Sequence, residues 1–195
     1  MTTVVTPTTE LEAVNVMLAV IGESPINSLN SPAVVDAVTA QAVLSEISRA
    51  VQTSGWHFNT EVDYPLIPTV FDSEIQVPGN CLRIHATGVD RGTDVVQRGT
   101  RLYDRVNHTY KFTKKLMVDM VVLLPFSELP EAARYYITIR AARTFQARTV
   151  GSDALYKFTA QDETLAHADL KKAEGITGDN NMFTDSWSVA KVLQR

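Results

Sequence analysis

With 195 residues, 45% of them apolar, and 18 basic against 22 acidic side chains, the chain can fold as one compact domain or two small ones without disulfide staples. Its single cysteine, Cys81, excludes an intrachain disulfide and suits a reducing compartment. Residues 1–56 hold Glu10, Glu12, Glu23, Asp36 and Glu46 against Arg49, which is the whole net charge of −4, and the balanced remainder lacks the clustered bases that a general grip on nucleic acid requires.

Residues 1–7 have neither the basic stretch nor the apolar core of a secretory leader, and no apolar run nears the ~20 residues that span a bilayer. The chain therefore reads as a protein made in a cytoplasm, with no membrane partner. Thr9 and Glu12 form a T-x-x-E capping box ahead of Leu11, Val14, Leu18 and Ile21, which recur with helical spacing. Gly22 fits the position just past the end of that helix. After a turn-rich connection, Ser31 as N-cap and Pro32 at the first helical position open a second helix. Ala40, Leu44, Ile47 and Val51 form its buried face, and it ends near Ser54-Gly55.

Trp56 and Phe58, straddling His57, mark a change of character, and their place at a helix-to-sheet junction points to core packing. Short β-type segments follow at Glu61–Tyr64, Glu74–Val77, Leu82–Thr87, Val95–Arg98, Leu102–Arg105, Tyr110–Phe112 and Met117–Leu124. Gly79-Asn80, Asp90-Arg91-Gly92 and Arg98-Gly99-Thr100 supply turns, and Pro65, Pro68 and Pro78 keep their positions out of central strands.

The third helix carries two apolar stripes. Pro130 suits its first turn and Glu131 its positive end. Tyr135, Ile139, Ala142 and Gln146 make one stripe, and Ala133, Ile137, Ala141 and Phe145 the other, with Arg134, Arg140, Arg143 and Arg148 between them. A surface helix needs only one stripe, so this one is packed on both sides, against the chain's own core or against another subunit. Asp153–Glu174 reads as a fourth helix with a thin apolar face, followed by a Gly/Asn/Asp loop. The tail from Met182 to Arg195 carries Phe183 and Trp187, too apolar to stand free in water.

The reading is an α+β protein: a four-helix bundle with a small antiparallel β module inserted between helices two and three. Its parts are residues 1–55 (helical, first part), 56–125 (β module), 126–175 (helical, second part) and 176–195 (C-terminal arm). Candidate subunit or partner contacts are Arg134, Tyr135, Ile139, Arg140, Arg143, Arg148, Phe183 and Trp187.

No catalytic, cofactor or metal set emerges. His57, His85, His108 and His167 have no metal spacing, and neither a G-x-S-x-G elbow, a P-loop nor a G-x-G-x-x-G is present. Two carboxylates of a glycoside hydrolase may come from anywhere in a chain, so Asp63, Glu74, Asp104 and Asp119 keep a capsule or cell-wall glycan hydrolase as the alternative function. Isolated strand carboxylates usually face solvent, and none is assigned a catalytic role.

Ala13-Val14-Asn15 through Leu18-Ala19-Val20-Ile21-Gly22-Glu23-Ser24-Pro25-Ile26 to Leu29 forms the first of four blocks that resemble tail tubular protein A of short-tailed bacteriophages. The others are Gly55-Trp56-His57-Phe58-Asn59-Thr60-Glu61, Leu102-Tyr103-Asp104-Arg105, and Pro130-Glu131 with Arg134-Tyr135-Tyr136-Ile137, Ala142-Arg143, Phe145 and Arg148. The resemblance implies a non-enzymatic virion protein, an adaptor or gatekeeper whose subunits form a dodecameric ring between the portal protein and the tail nozzle, tail tubular protein B. It also implies part of the attachment surface for tail fibres, and passage of DNA without sequence recognition. No catalytic residues are carried over from that family.

Overall fold

The structure, a computed structural model, describes residues 7–30, 35–151 and 153–177, with side chains of the last stretch from residue 160 onward. The expected cap at Ser31-Pro32 and the tail residues Phe183 and Trp187 lie outside the described residues. Among those described, the elements run α1 (Glu10–Val20), α2 (Val35–Gln52), β1 (Thr60–Leu66), β2 (Cys81–Ala86), β3 (Val95–Arg98), β4 (Arg101–Asp104), β5 (Leu116–Val122), α3 (Glu131–Thr149) and α4 (Asp153–Thr177). The protein is thus mixed α and β, with small antiparallel sheets whose strands all fall between α2 and α3 in sequence. It divides into two compact units, a helical one and the segment Leu44–Leu129, and the first boundary falls inside α2, after Val43.

In the helical unit, α1 is bounded by local chemistry. The Thr9 hydroxyl accepts from the Glu12 N–H at 3.2 Å and the Glu12 carboxylate accepts from the Thr9 N–H at 2.7 Å, closing the capping box. At the other end Gly22 takes a left-handed φ of 83°, and the N–H groups of Gly22 and Glu23 bond the carbonyls of Ala19 and Leu18. This satisfies two of the carbonyls left open at a helix end, at a position a side chain rarely tolerates. The following connection is pinned by Asn15, whose amide bonds both the N–H (2.8 Å) and the carbonyl (3.0 Å) of Ile26.

α3 packs against both α1 and α4. Ala133, Ile137, Ala141 and Phe145 are fully buried, as are most of their neighbours around the helix, including Tyr136, Thr138, Ala142 and Gln146. The chain's own helices therefore cover the second stripe and the Ala142–Gln146 part of the first. The first stripe is rotated from the sequence reading: Tyr136 is buried and Tyr135 is 49% exposed, while Ile139 is half-buried. Pro130 stands one residue earlier than expected, as the extended N-cap of α3. From α4, Ala166 and Leu170 enter the core, and His167 stacks on Tyr136 with ring centroids 4.9 Å apart.

In Leu44–Leu129, β5 is the central strand of an antiparallel sheet ordered β1-β5-β2, and β3 pairs with β4 as a separate hairpin. Pro65 lies within β1, where its missing N–H is tolerated because β1 is an edge strand. The expected strands at Glu74–Val77 and Tyr110–Phe112 form only single bridges, Glu74 to Lys111 and Gln76 to Arg101. Leu66, Ile75, Val77, Leu102, Phe112, Leu116, Val118 and Met120 build the core between sheet and hairpin. The end of α2 is tied to the exit of β5 through Gln52 and Asn59, both buried. Asn59 donates to the carbonyls of Gln52 (3.0 Å) and Val122 (2.9 Å) and accepts from the Trp56 N–H at 2.8 Å. The Trp56 indole in turn donates to the Val51 carbonyl.

Candidate assembly surface

The arginines of α3 are held by groups of the helical unit. Arg134 donates to the Thr8 carbonyl at 2.9 Å, and the Thr8 N–H donates to Glu131, so the chain ahead of α1 is strapped to the start of α3. Arg143 donates to Glu163 of α4, and Arg140 stands 3.7 Å from the same carboxylate while donating to the Tyr136 hydroxyl at 3.2 Å. Arg140, Arg143 and exposed Arg148, with Thr144, Ala147 and Glu163, line an open cleft of about 360 Å³. The structure brings three of the sequence-derived candidates, Arg140, Arg143 and Arg148, to this cleft. It leaves Tyr135 on the surface and Ile139 half-covered.

Three of the four β-module carboxylates, Glu74, Asp104 and Asp119, are engaged in holding the fold, and exposed Asp63 takes part through its backbone N–H. Asp119 of β5 lies 3.3 Å from His85 of β2 and accepts the Asp63 N–H at 3.0 Å, at a bulge where Asp63 takes φ 52°. Glu74 holds Arg101 at 2.9 Å. Asp104 accepts from the N–H groups of Val106 and Asn107 and from the Asn107 amide, and these bonds, the Asn107 N–H foremost, pull its carboxyl below the usual range. Asp90, in the turn Asp90-Arg91-Gly92 where no sequence motif marks it, is buried beneath Lys114 and accepts the Met117 N–H at 3.0 Å. The Lys114 ammonium is the main cause of its lowered carboxyl pKa. A general acid needs the opposite shift. Burial pushes the Cys81 thiol up, away from nucleophilic reactivity.

Among the described residues no group of three or more His, Cys, Asp or Glu side chains is placed to hold a metal ion, and no helix is long and apolar enough to cross a membrane. What the surface does offer is apolar. In the loop after β1, Ile67 is 72% exposed, Val70 93% and Phe71 98%. The loop is shaped by the Ser73 N–H bonding the Thr69 carbonyl and the Phe112 N–H bonding Ser73, with Ser73 at φ 57°. No periodicity marks this loop, so only the order Ile67-Pro68-Thr69-Val70-Phe71 could have signalled it. Large apolar side chains grouped in this way are a feature of binding surfaces.

The chain matches the tail tubular protein family over residues 11–180 and belongs to it. It is a structural component of the bacteriophage virion tail. Among individual relatives, the tail tubular protein A of Klebsiella phage KP34 is 29% identical over 153 residues, which cover 78% of this chain and 80% of that protein.

Proposed function

We propose that the protein is the adaptor of a short phage tail: its copies form a ring between the portal protein and the tail nozzle, tail tubular protein B. In this reading the ring has twelve copies, gives tail fibres part of their attachment surface, and lets DNA pass during ejection without reading its sequence. It acts by binding and not by catalysis.

The observation that carries the reading is the family match across residues 11–180, joined by the similarity to a protein named tail tubular protein A. The charge balance supports it, because beyond residue 56 acids and bases are equal in number and leave no net positive charge to hold passing DNA. The four helices, taken as a bundle from parts 1–55 and 126–175, would build the ring body, and the β module 56–125 and the arm 176–195 would meet neighbouring proteins. Arg134, Tyr135, Ile139, Arg140, Arg143 and Arg148, with Phe183 and Trp187 of the arm, are the proposed contacts. Exposed Tyr135 and Arg148 are the best available to a partner.

The test is native mass measurement of the purified chain alone and after mixing with isolated portal rings. A ring of copies on the portal is the expected result, and a chain that stays monomeric beside the portal would remove the adaptor reading. Deleting Met182–Arg195 should weaken this assembly while leaving the melting temperature of the monomer within about 2 °C.

A further inference from the structure

The hairpin of β3 and β4 presents an ordered arrangement of arginine and tyrosine. The Arg98 guanidinium carbon lies 3.6 Å from the centroid of the Tyr103 ring, Arg101 lies 4.4 Å from that of Tyr110, and the two tyrosines meet edge-on at 4.8 Å. Arg98 and Arg101 are directly opposed in the hairpin register, where like charges repel. Glu74 neutralises Arg101. Arg98 is exposed and, among the described residues, is held by its ring contact alone, with no hydrogen bond or carboxylate partner. A guanidinium ordered in advance over an aromatic ring loses little freedom when its N–H fork takes a carboxylate. Beside it, Val95, Val96, Gln97 and Gly99 with Leu82, Arg83 and Ile84 border an open cleft of about 480 Å³.

The chain itself carries the complementary surface. Residues 10–36 hold Glu10, Glu12, Glu23 and Asp36 and neither Lys nor Arg. Exposed valines lie on the same two helices, Val16 at 42%, Val38 at 52% and Val35 at 79%. On the hairpin and its flanks, Arg98, Arg101, Arg105 and Lys111 stand against Glu74, Asp94 and buried Asp104, an excess of one positive charge.

We infer that the Arg98–Tyr103 face of one copy docks on the acidic, valine-bearing surface of α1 and the start of α2 of a second copy. Two different surfaces meet in this contact, and such head-to-tail joints close into rings when the rotation between copies permits. The inference rests on the ring reading above and names the faces that build it.

The test uses virions formed in cells where a plasmid is the sole source of the chain. Tailed particles are counted by electron microscopy and copies of the chain per particle by quantitative mass spectrometry. Arg98→Glu should lower the yield of tailed particles at least about tenfold, the effect of losing a charge pair at a contact, without moving the melting temperature of the purified chain. Glu10→Arg, Glu23→Arg and Asp36→Arg, each combined with Arg98→Glu, form the rescue set, and at least one pair should restore the yield to within about threefold. Wild-type yield with Arg98→Glu would overturn the inference. So would a loss that no pair rescues, because the face would then serve another tail protein or the passing DNA. If wild-type particles carry a single copy of the chain, the ring reading itself falls, whatever the Arg98 variant does.

Discussion

The side chain of Gln52 pairs with the backbone of Leu124 as a neighbouring strand would. Its Oε1 accepts the Leu124 N–H at 2.8 Å and its Nε2 donates to the Leu124 carbonyl at 3.0 Å and to the Ser48 hydroxyl. Gln52 is fully buried, so truncation strands two backbone groups where water reaches poorly. Gln52→Ala should lower stability by about 2–4 kcal/mol in urea unfolding, with Gln52→Glu intermediate because it keeps the acceptor and loses the donor. A loss below about 1 kcal/mol for the alanine variant would show that water replaces the amide.

Gln146 presents the opposite case. It is fully buried on α3, and neither its Nε2 nor its Oε1 has a hydrogen-bond partner among the described residues. An unpaired buried amide is destabilising, and an apolar group of similar size removes that burden. Gln146→Leu or Gln146→Met should raise stability by about 1 kcal/mol, read as a higher melting temperature. Destabilisation by either variant would show that the amide is satisfied in solution, by water or by a neighbouring copy.

Asp90 and Asp104 make the β-bearing unit sensitive to acid. Both carboxyls titrate below their ordinary value in the folded chain, Asp90 through Lys114 and the Met117 N–H, and Asp104 through Asn107 and Val106. Their contribution is therefore complete above the unfolded value of about 4 and is lost as pH falls through the lower folded values. Chemical denaturation between about pH 5 and pH 3 should show falling stability, with a shallower fall for Asp90→Asn. An unchanged slope in that variant would remove Asp90 from the account.

His167 places a second titration nearer neutrality. Burial, then Lys171 and Arg140, lower its folded pKa against the opposing pull of Glu163, so the folded state favours the neutral ring stacked on Tyr136. Because the folded value lies below the unfolded one, this contribution is present above about pH 6.5 and declines as pH drops through the folded value. His167→Phe keeps a ring on Tyr136 and cannot take up a proton. Its stability should be flatter than the wild type between about pH 7 and pH 5, and equal slopes would refute the assignment.

The sequence by itself determined what depends on near neighbours. The limits of α1 follow from Thr9, Glu12 and Gly22, because a cap bonds groups within one helical turn. The buried face Ala40, Leu44, Ile47 and Val51 follows from a repeat that one helix alone produces. Tertiary structure decided which of two adjacent tyrosines, Tyr135 or Tyr136, enters the core, because both lie close to apolar positions and only the placement of α1 and α4 selects one. It also decided the partners of the α3 arginines, with Thr8 reached across 126 residues and Glu163 across 20. The same holds for the stacking of Arg98 on Tyr103 and the outward turn of Val70 and Phe71. These rest on contacts between distant segments, whose energies exist only once the chain has brought them together, so no local pattern of residue types records them.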